Sequence, residues 1–427
     1  MRKRMLIFSA GGVLLIIGAV IGIIAWQRSQ DDDALPYGPR PHYAAVNNLA
    51  ADAVDLSTNA KVFPSLTYGI QTFFWWHPDY RQVGLDHVNI MQFSHIRQDF
   101  AWADIEPVQR PKDDPERYVW AQADAMMHDI EAKEVQVIAR LDKPPAWALR
   151  PDVDYGDIPF DTTRLFEYCG AVATRYQGRI TAYQIWNEPN LKREWADTPP
   201  SPEGYVDLLK GCSTAIRQAD PDAIIISAGM APTGTRDTTA LPDEEFFWKM
   251  YQAGAAPYFD VLGVHAPGYA FEPEIDPQAV VEQGYLAWQC FRHVEAVRAI
   301  MVANGDEAKQ IAITEMGWTI DPRPDSIYHW FAVTPEQQGE YLARAYAYAA
   351  EHWRPWVGLM VALYYPNPAW TEDNEEYWWA IGVPTILPFA MDHRPAWPAL
   401  VQMRKTSSNP DYDHPARDAY FNPIEDD

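Results

Sequence analysis

Two glutamates in this chain stand where an apolar, strand-like run meets a polar loop. One closes the string Gln184-Ile185-Trp186-Asn187-Glu188-Pro189-Asn190, the other Ile313-Thr314-Glu315-Met316-Gly317-Trp318. A carboxylate in such a place is costly unless it is solvated, paired or used. Two carboxyls facing each other across a pocket suit one kind of chemistry. The protonated one gives its proton to a leaving oxygen, and the ionised one attacks carbon or activates water. Cleavage of a glycosidic bond needs that division of labour. Arg97, near the end of another apolar run, would point inward and hold Glu315 ionised by charge pairing. His265 closes a further run and Tyr269 follows it, so an imidazole or a hydroxyl is placed to orient Glu315. The aromatic residues after the runs, Trp147, Tyr365, Trp370 and Trp378 among them, offer flat faces on which sugar rings stack. The bland alternative is two solvated rim glutamates and rings packed beneath long loops.

Whether these groups meet depends on the elements between them. Short apolar runs rich in β-branched residues recur at 67–72, 95–100, 135–141, 181–186, 223–227, 261–265, 310–314 and 358–364. Segments of helical period alternate with them, at 79–90, 120–133, 161–176, 201–218, 244–253, 283–302 and 334–352. Start and stop signals agree: Ser201-Pro202 and Thr334-Pro335 open helices, and Gly254 closes one. Eight strands alternating with helices predict a (β/α)8 barrel, whose active site lies at the C-terminal ends of the strands. A doubly wound open sheet is the competing fold, but no strand leads into a Gly-x-Gly-x-x-Gly loop.

The strings Ile-Trp-Asn-Glu-Pro-Asn and Ile-Thr-Glu-Met-Gly-Trp resemble the two catalytic signatures of clan A glycoside hydrolases, most closely families 39 and 5. The likeness runs from about Gly69 to about Leu400. It takes in His95 to Trp102 with Ile105-Glu106-Pro107, Pro144-Pro145-Ala146-Trp147, Gly263-Val264-His265, and the closing stretch Trp379 to Gly382 with Arg394 to Trp397. The resemblance implies that Glu188 is the general acid/base and Glu315 the nucleophile of a retaining double displacement. It also implies that Asn187 bonds the sugar 2-hydroxyl. The clan often has His followed closely by Tyr on the sixth strand. Here Ala266-Pro267-Gly268 intervenes, so either His265 or Tyr269 takes that role. No cofactor or metal is expected of this mechanism.

Met5 to Trp26 is an uncharged run of 22 residues preceded by Arg2, Lys3 and Arg4, which predicts a single transmembrane signal anchor with the rest of the chain outside the cytoplasm. A cleaved signal peptide is the alternative. The expected organisation is an anchor at residues 1–30, a stem at 31–64, a catalytic barrel at 65–405 and an acidic tail at 406–427. The expected location is the cell membrane, with the membrane and a carbohydrate as partners. The formal net charge of −25 argues against nucleic acid. No His-x-His or Gly-x-Ser-x-Gly string occurs, which argues against the usual metal-dependent and serine hydrolases. A carbohydrate-binding protein on a degenerate barrel and a transglycosidase remain as alternatives. The three cysteines are too few for a disulfide scaffold, and Cys169 and Cys212 would pair only if their helices are neighbours.

Overall fold

The computed structural model describes residues 49–424 apart from 51–52, 58–60, 151, 155 and 386–390. Eight parallel strands close into a barrel in sequence order: β1 (Thr67–Thr72), β2 (His95–Ala101), β3 (Gln136–Asp142), β4 (Ala182–Ile185), β5 (Ile224–Ile226), β6 (Val261–Pro267), β7 (Gln310–Gly317) and β8 (Val357–Ala362). The β1–β8 pairing, Thr67 opposite Leu359 through Ile70 opposite Ala362, completes the ring.

Side chains alternate across each strand, so the barrel interior has its own sequence. At its floor lie Ile138, Ala182, Ile224, Ile226, Val261, Ala312, Leu359 and Val361, packed on Phe63. Two residues further along the same inward rows, apolar side chains give way to polar ones. Ile138 is followed by Arg140 and Asp142, and Ala182 by Gln184, all of them buried. The apolar floor closes the barrel, and the polar layers above it form the site.

The helices bury one face each. The helix Thr162–Arg175 covers the sheet with Leu165, Tyr168, Cys169, Val172 and Ala173, and Asp161 caps it by accepting from Arg164 N at 3.1 Å. Ser201 caps Pro202–Ala219 through Gly204 N, and Thr334 with Gln337 forms a capping box on Pro335–His352. The first two helices are neighbours, and Cys169 and Cys212 form a disulfide between them with Cα atoms 5.4 Å apart.

Two expectations are corrected. Among the described residues no helix is long and apolar enough to cross a membrane. The longest, Pro202–Ala219 and Pro335–His352, bury one stripe and keep charged residues on the other. The transmembrane part of the expected fold, the membrane partner and the cell-membrane, single-pass location are therefore withdrawn. The run they rested on, Met5 to Trp26, lies outside the described residues. The helix expected over 283–302 forms only from Val294 to Ala303. Gly284 has φ of +91°, a left-handed conformation that ends the preceding short helix, and the chain then runs as a loop to Phe291.

Candidate active site

The two glutamates meet. A carboxylate oxygen of Glu188, one of Glu315 and a ring nitrogen of His265 lie within 4.8 Å of one another. Each glutamate reaches that place by a local departure from regular strand geometry.

On β7, Ile311 and Ile313 face outward into the helix layer, and Ala312 faces the barrel floor. Regular alternation would turn Glu315 outward as well. The pairing with β6 slips instead: Ile313 opposes Val264, and the next pair is Glu315 with His265. Thr314 is the extra residue of this bulge, and it re-aims Glu315 into the mouth. On the other side of the barrel, β4 ends at Ile185 because Trp186 and Glu188 adopt φ of +74° and +40°. Neither is glycine, so the turn is strained, and the surroundings hold it. Glu188 N donates to Gly229 O at 3.0 Å. Asn190 ties the same loop to the one after β5, donating to Ala231 O and Leu241 O at 2.8 and 2.9 Å and accepting from Ala231 N.

Arg97 lies at the centre, fully buried. Its Nη1 donates to Glu315 Oε1 and to Gln71 Oε1, each at 2.7 Å. Its Nε donates to Gln184 Oε1 at 2.6 Å, and its Nη2 to Asn187 Oδ1 at 2.8 Å. Burial pushes the guanidinium down from its ordinary value, and the charge of Glu315 pushes back. A second guanidinium, Arg140, stands 3.8 Å from Glu315, with its other nitrogens 2.8 Å from Asp99 and Asp142. Lys143 also pairs with Asp99. Burial works against ionisation of Asp99, but Arg140 and Lys143 outweigh it and hold its carboxyl low. For Asp142 burial prevails over Arg140 and the carboxyl is pushed up.

Glu188 has different company. His265 Nδ1 is 2.9 Å from its Oε1, and the far ring nitrogen is 3.6 Å from Glu315. Arg193 Nη2 is 3.3 Å from Glu188 Oε2. Burial raises the Glu188 carboxyl, but the bond to His265 and the charges of His265 and Arg193 outweigh it, leaving it below the ordinary range. Nearby Glu194 is pushed up to about 7, by burial first and then by the charge of Glu188. By distance alone Glu188, His265 and Glu315 would accept a divalent cation. Two guanidiniums already face Glu315, which disfavours a further positive charge there, so the set suits proton chemistry better.

Of the other residues singled out by sequence, Trp370 belongs to an aromatic trio with Phe73 and Tyr364. It packs on Phe73 and Tyr364 at 5.0 and 5.3 Å, and Glu315 is the charge felt most strongly at the Tyr364 hydroxyl. Tyr269 turns away from Glu315, its hydroxyl donating to Pro232 O at 3.2 Å. Tyr365 is a core residue, buried against Phe74 and Tyr80 with its hydroxyl 2.8 Å from His87. Trp147 bonds to Glu106 O, edge-on to Trp102. Trp378 donates to Glu372 O beside Tyr377 and Arg394. Gln71, Arg140 and Gln184 were missed. Their signal was available: each is a polar residue inside an apolar strand run. Nothing in the pattern points to Arg193.

A family model for cellulase (glycosyl hydrolase family 5) matches residues 58–253. The match covers just under half of the chain, which is thereby similar to family 5 glycosyl hydrolases. Solved structures share the fold at low identity. A family 39 glycoside hydrolase from Bacteroides cellulosilyticus WH2 is 20% identical with a TM-score of 0.56, over 80% of this chain and 64% of that one. The chain thus spans just under two thirds of that relative's length. A monomeric β-xylosidase from Caulobacter crescentus CB15 is 18% identical with a TM-score of 0.53, over 80% and 69% of the two chains. A family 10 endoxylanase from a sugarcane soil metagenome is 12% identical with a TM-score of 0.52, over 79% and 96%. No curated protein sequence matches the chain.

Proposed function

We propose that this chain is a clan A glycosidase, related to families 5 and 39, that cleaves O-glycosidic bonds of a carbohydrate with retention of anomeric configuration. The observation that carries the proposal is the separation of Glu188 and Glu315, whose nearest oxygens lie within 4.8 Å. Retaining enzymes hold their carboxyls about 5–5.5 Å apart, whereas inverting enzymes leave about 6.5–9.5 Å for a water. Glu315, ionised and paired with Arg97, attacks the anomeric carbon as the bond to the leaving oxygen breaks. Glu188 gives that oxygen its proton, and the 2.9 Å contact with His265 orients its carboxyl. Glu188 then takes a proton from water, which attacks the anomeric carbon and releases Glu315. Asn187, oriented through its oxygen by Arg97, presents its amide to the sugar 2-hydroxyl. Trp370 and Tyr364 line the side of the sugar whose anomeric carbon meets Glu315.

The test is Glu188→Ala with an activated aryl glycoside and sodium azide. Rescue with a glycosyl azide of retained configuration supports both the acid/base role and the double displacement. An inverted product, or full turnover by Glu315→Gln, sinks the proposal.

A further inference from the structure

The loop that replaces the first half of the expected helix after β6 carries Tyr285, Leu286 and Trp288 toward the C-terminal face of the barrel. The loop after β7 carries Ile327, Tyr328 and Trp330 to the same face. Tyr285 and Trp330 have ring planes 15° apart and centroids 6.1 Å apart. Trp330 and Tyr269 lie at 26° and 6.1 Å. Trp330 is 47% exposed, Ile327 74% and Tyr285 36%. Exposed rings of this size cost free energy in water unless something covers them.

The patch continues into the site. Tyr269, Phe331, Leu363 and Trp379 form one buried cluster, with Tyr328 and Tyr364 packed against it. Its two ends face different glutamates. At one end the Tyr269 hydroxyl donates to Pro232 O at 3.2 Å, next to Ala231, which is bonded to Asn190 of the Glu188 loop; at the other, Glu315 is the charge felt most strongly by Tyr364. Tyr328 bonds to Arg193, which pairs with Glu188. The outer rings therefore lie on the Glu188 side, where the leaving oxygen departs. Residues 283–289 carry no charged side chain, only Gln283 and Gln289 among the rings and small residues. Flat apolar faces beside neutral amides match a neutral sugar ring, with C–H faces to stack and hydroxyls to bond.

We propose that Tyr285 and Trp330 form a binding platform for a neutral sugar on the leaving-group side of the cleaved bond. The substrate is then an oligosaccharide that continues past that bond, not a glycoside of a small alcohol. This inference rests on the reading of Glu188 as the acid.

The experiment compares wild type with Trp330→Ala and Tyr285→Ala on an aryl glycoside and on neutral β-1,4-linked xylo- and gluco-oligosaccharides labelled at the reducing end. Both side chains are exposed enough that the variants should fold, and circular dichroism checks this. The expected result is a loss of about tenfold or more in kcat/KM on the longer oligosaccharides, mostly through KM. The aryl glycoside should change less than twofold. Cleavage should also shift toward the labelled end, because long leaving fragments lose their hold. Equal losses on both substrate types, or no loss on either, overturn the platform.

Titration of Glu315→Gln with the same oligosaccharides separates this inference from the proposed function. Binding that depends on Trp330 without cleavage by wild type keeps the platform and sinks the hydrolysis. Cleavage of oligosaccharides with no dependence on Trp330 does the reverse. Failure of every neutral oligosaccharide to bind overturns the platform, as does a wild-type dimer that Trp330→Ala converts to monomer by sedimentation.

Discussion

A single methyl group placed at Gly229 should separate acid catalysis from the rest of the reaction. Gly229 follows β5, accepts from Glu188 N, and lies under the His265 ring. A Cβ there would sit 2.2 Å from His265 Cδ2, 2.5 Å from its Nε2 and 2.9 Å from Thr314 Oγ1. Carbon atoms settle at about 3.5–4.0 Å, so the imidazole must move by roughly 1.3 Å or more. It is buried and cannot swing into solvent. The φ of Gly229 is not in the left-handed region, so alanine meets no backbone penalty and the perturbation is local. Overpacking of this kind costs about 1–3 kcal/mol of stability. A shift of that size breaks the 2.9 Å contact with Glu188, and a misplacement of about 1 Å can cost about 100-fold in rate. The loss should depend on the leaving group. A dinitrophenyl glycoside needs little proton donation, so Gly229→Ala should lower its rate only a few-fold. An alkyl glycoside or a disaccharide should lose about 100-fold in kcat/KM. Steady-state kinetics on the two substrate types, with thermal denaturation alongside, makes the comparison. Equal losses on both, or wild-type rates on both, would refute the reasoning that His265 acts through Glu188.

Arg97→Met leaves Glu315, Gln71, Gln184 and Asn187 facing a hydrocarbon at a fully buried position, and should cost about 3–5 kcal/mol in urea unfolding, with kcat/KM down at least 1,000-fold. Arg193→Gln removes a cation from Glu188, so the Glu188 carboxyl rises and the alkaline limb of the kcat/KM profile moves to higher pH; an unmoved limb would mean that Arg193 does not act on the acid. Glu194 holds its proton in the folded state up to about 7, above the value of about 4.3 for an unfolded chain, so its contribution to stability is full below the lower value and lost as pH rises through the upper one. Glu194→Gln should flatten that part of the pH–stability curve, read from urea midpoints at three pH values. Replacing Cys169 and Cys212 with serine opens a loop closed over a separation of 43 residues and should cost about 4 kcal/mol of stability while leaving kcat/KM unchanged at low temperature.

The barrel was legible because its signals are local. Alternation of apolar runs with helical periods, Ser201 and Thr334 as caps, and carboxylates at strand ends can all be read from a few neighbouring residues. Glu188 and Glu315 were singled out that way and lie together in the structure, where Arg97 pairs with Glu315. The misses have physical causes. Tyr365 is an aromatic residue after a strand, as Trp370 is, and nothing in its type tells that it packs into the core. Tyr365 finds a core partner in His87 that lies 278 positions away. The segment 283–302 has a helical period throughout, but Gly284 and the packing of Tyr285 on Trp330 give its first half another use. The bulge at Thr314 leaves no mark in the sequence at all. It exists because β6 and β7 pair out of step, which is a property of two strands together.

The bulge and the turn after β4 also bear on which glutamate does which work. The pair would be interchangeable if both faced the same groups, and they do not. Glu315 is held by Arg97, which is buried and has four fixed acceptors, so its counter-charge cannot leave during the reaction. Glu188 is held by His265, an imidazole with two ring nitrogens, and by Arg193, whose side chain is 60% exposed at the surface. An acid that must gain and lose a proton in each cycle needs partners that can change their charge or move away. A nucleophile that must be ionised each time it attacks needs a partner that can do neither. Paired carboxylates take opposite roles when their surroundings differ in this way, and the difference here supports the proposed roles, attack by Glu315 and proton transfer by Glu188, without appeal to their order in the chain.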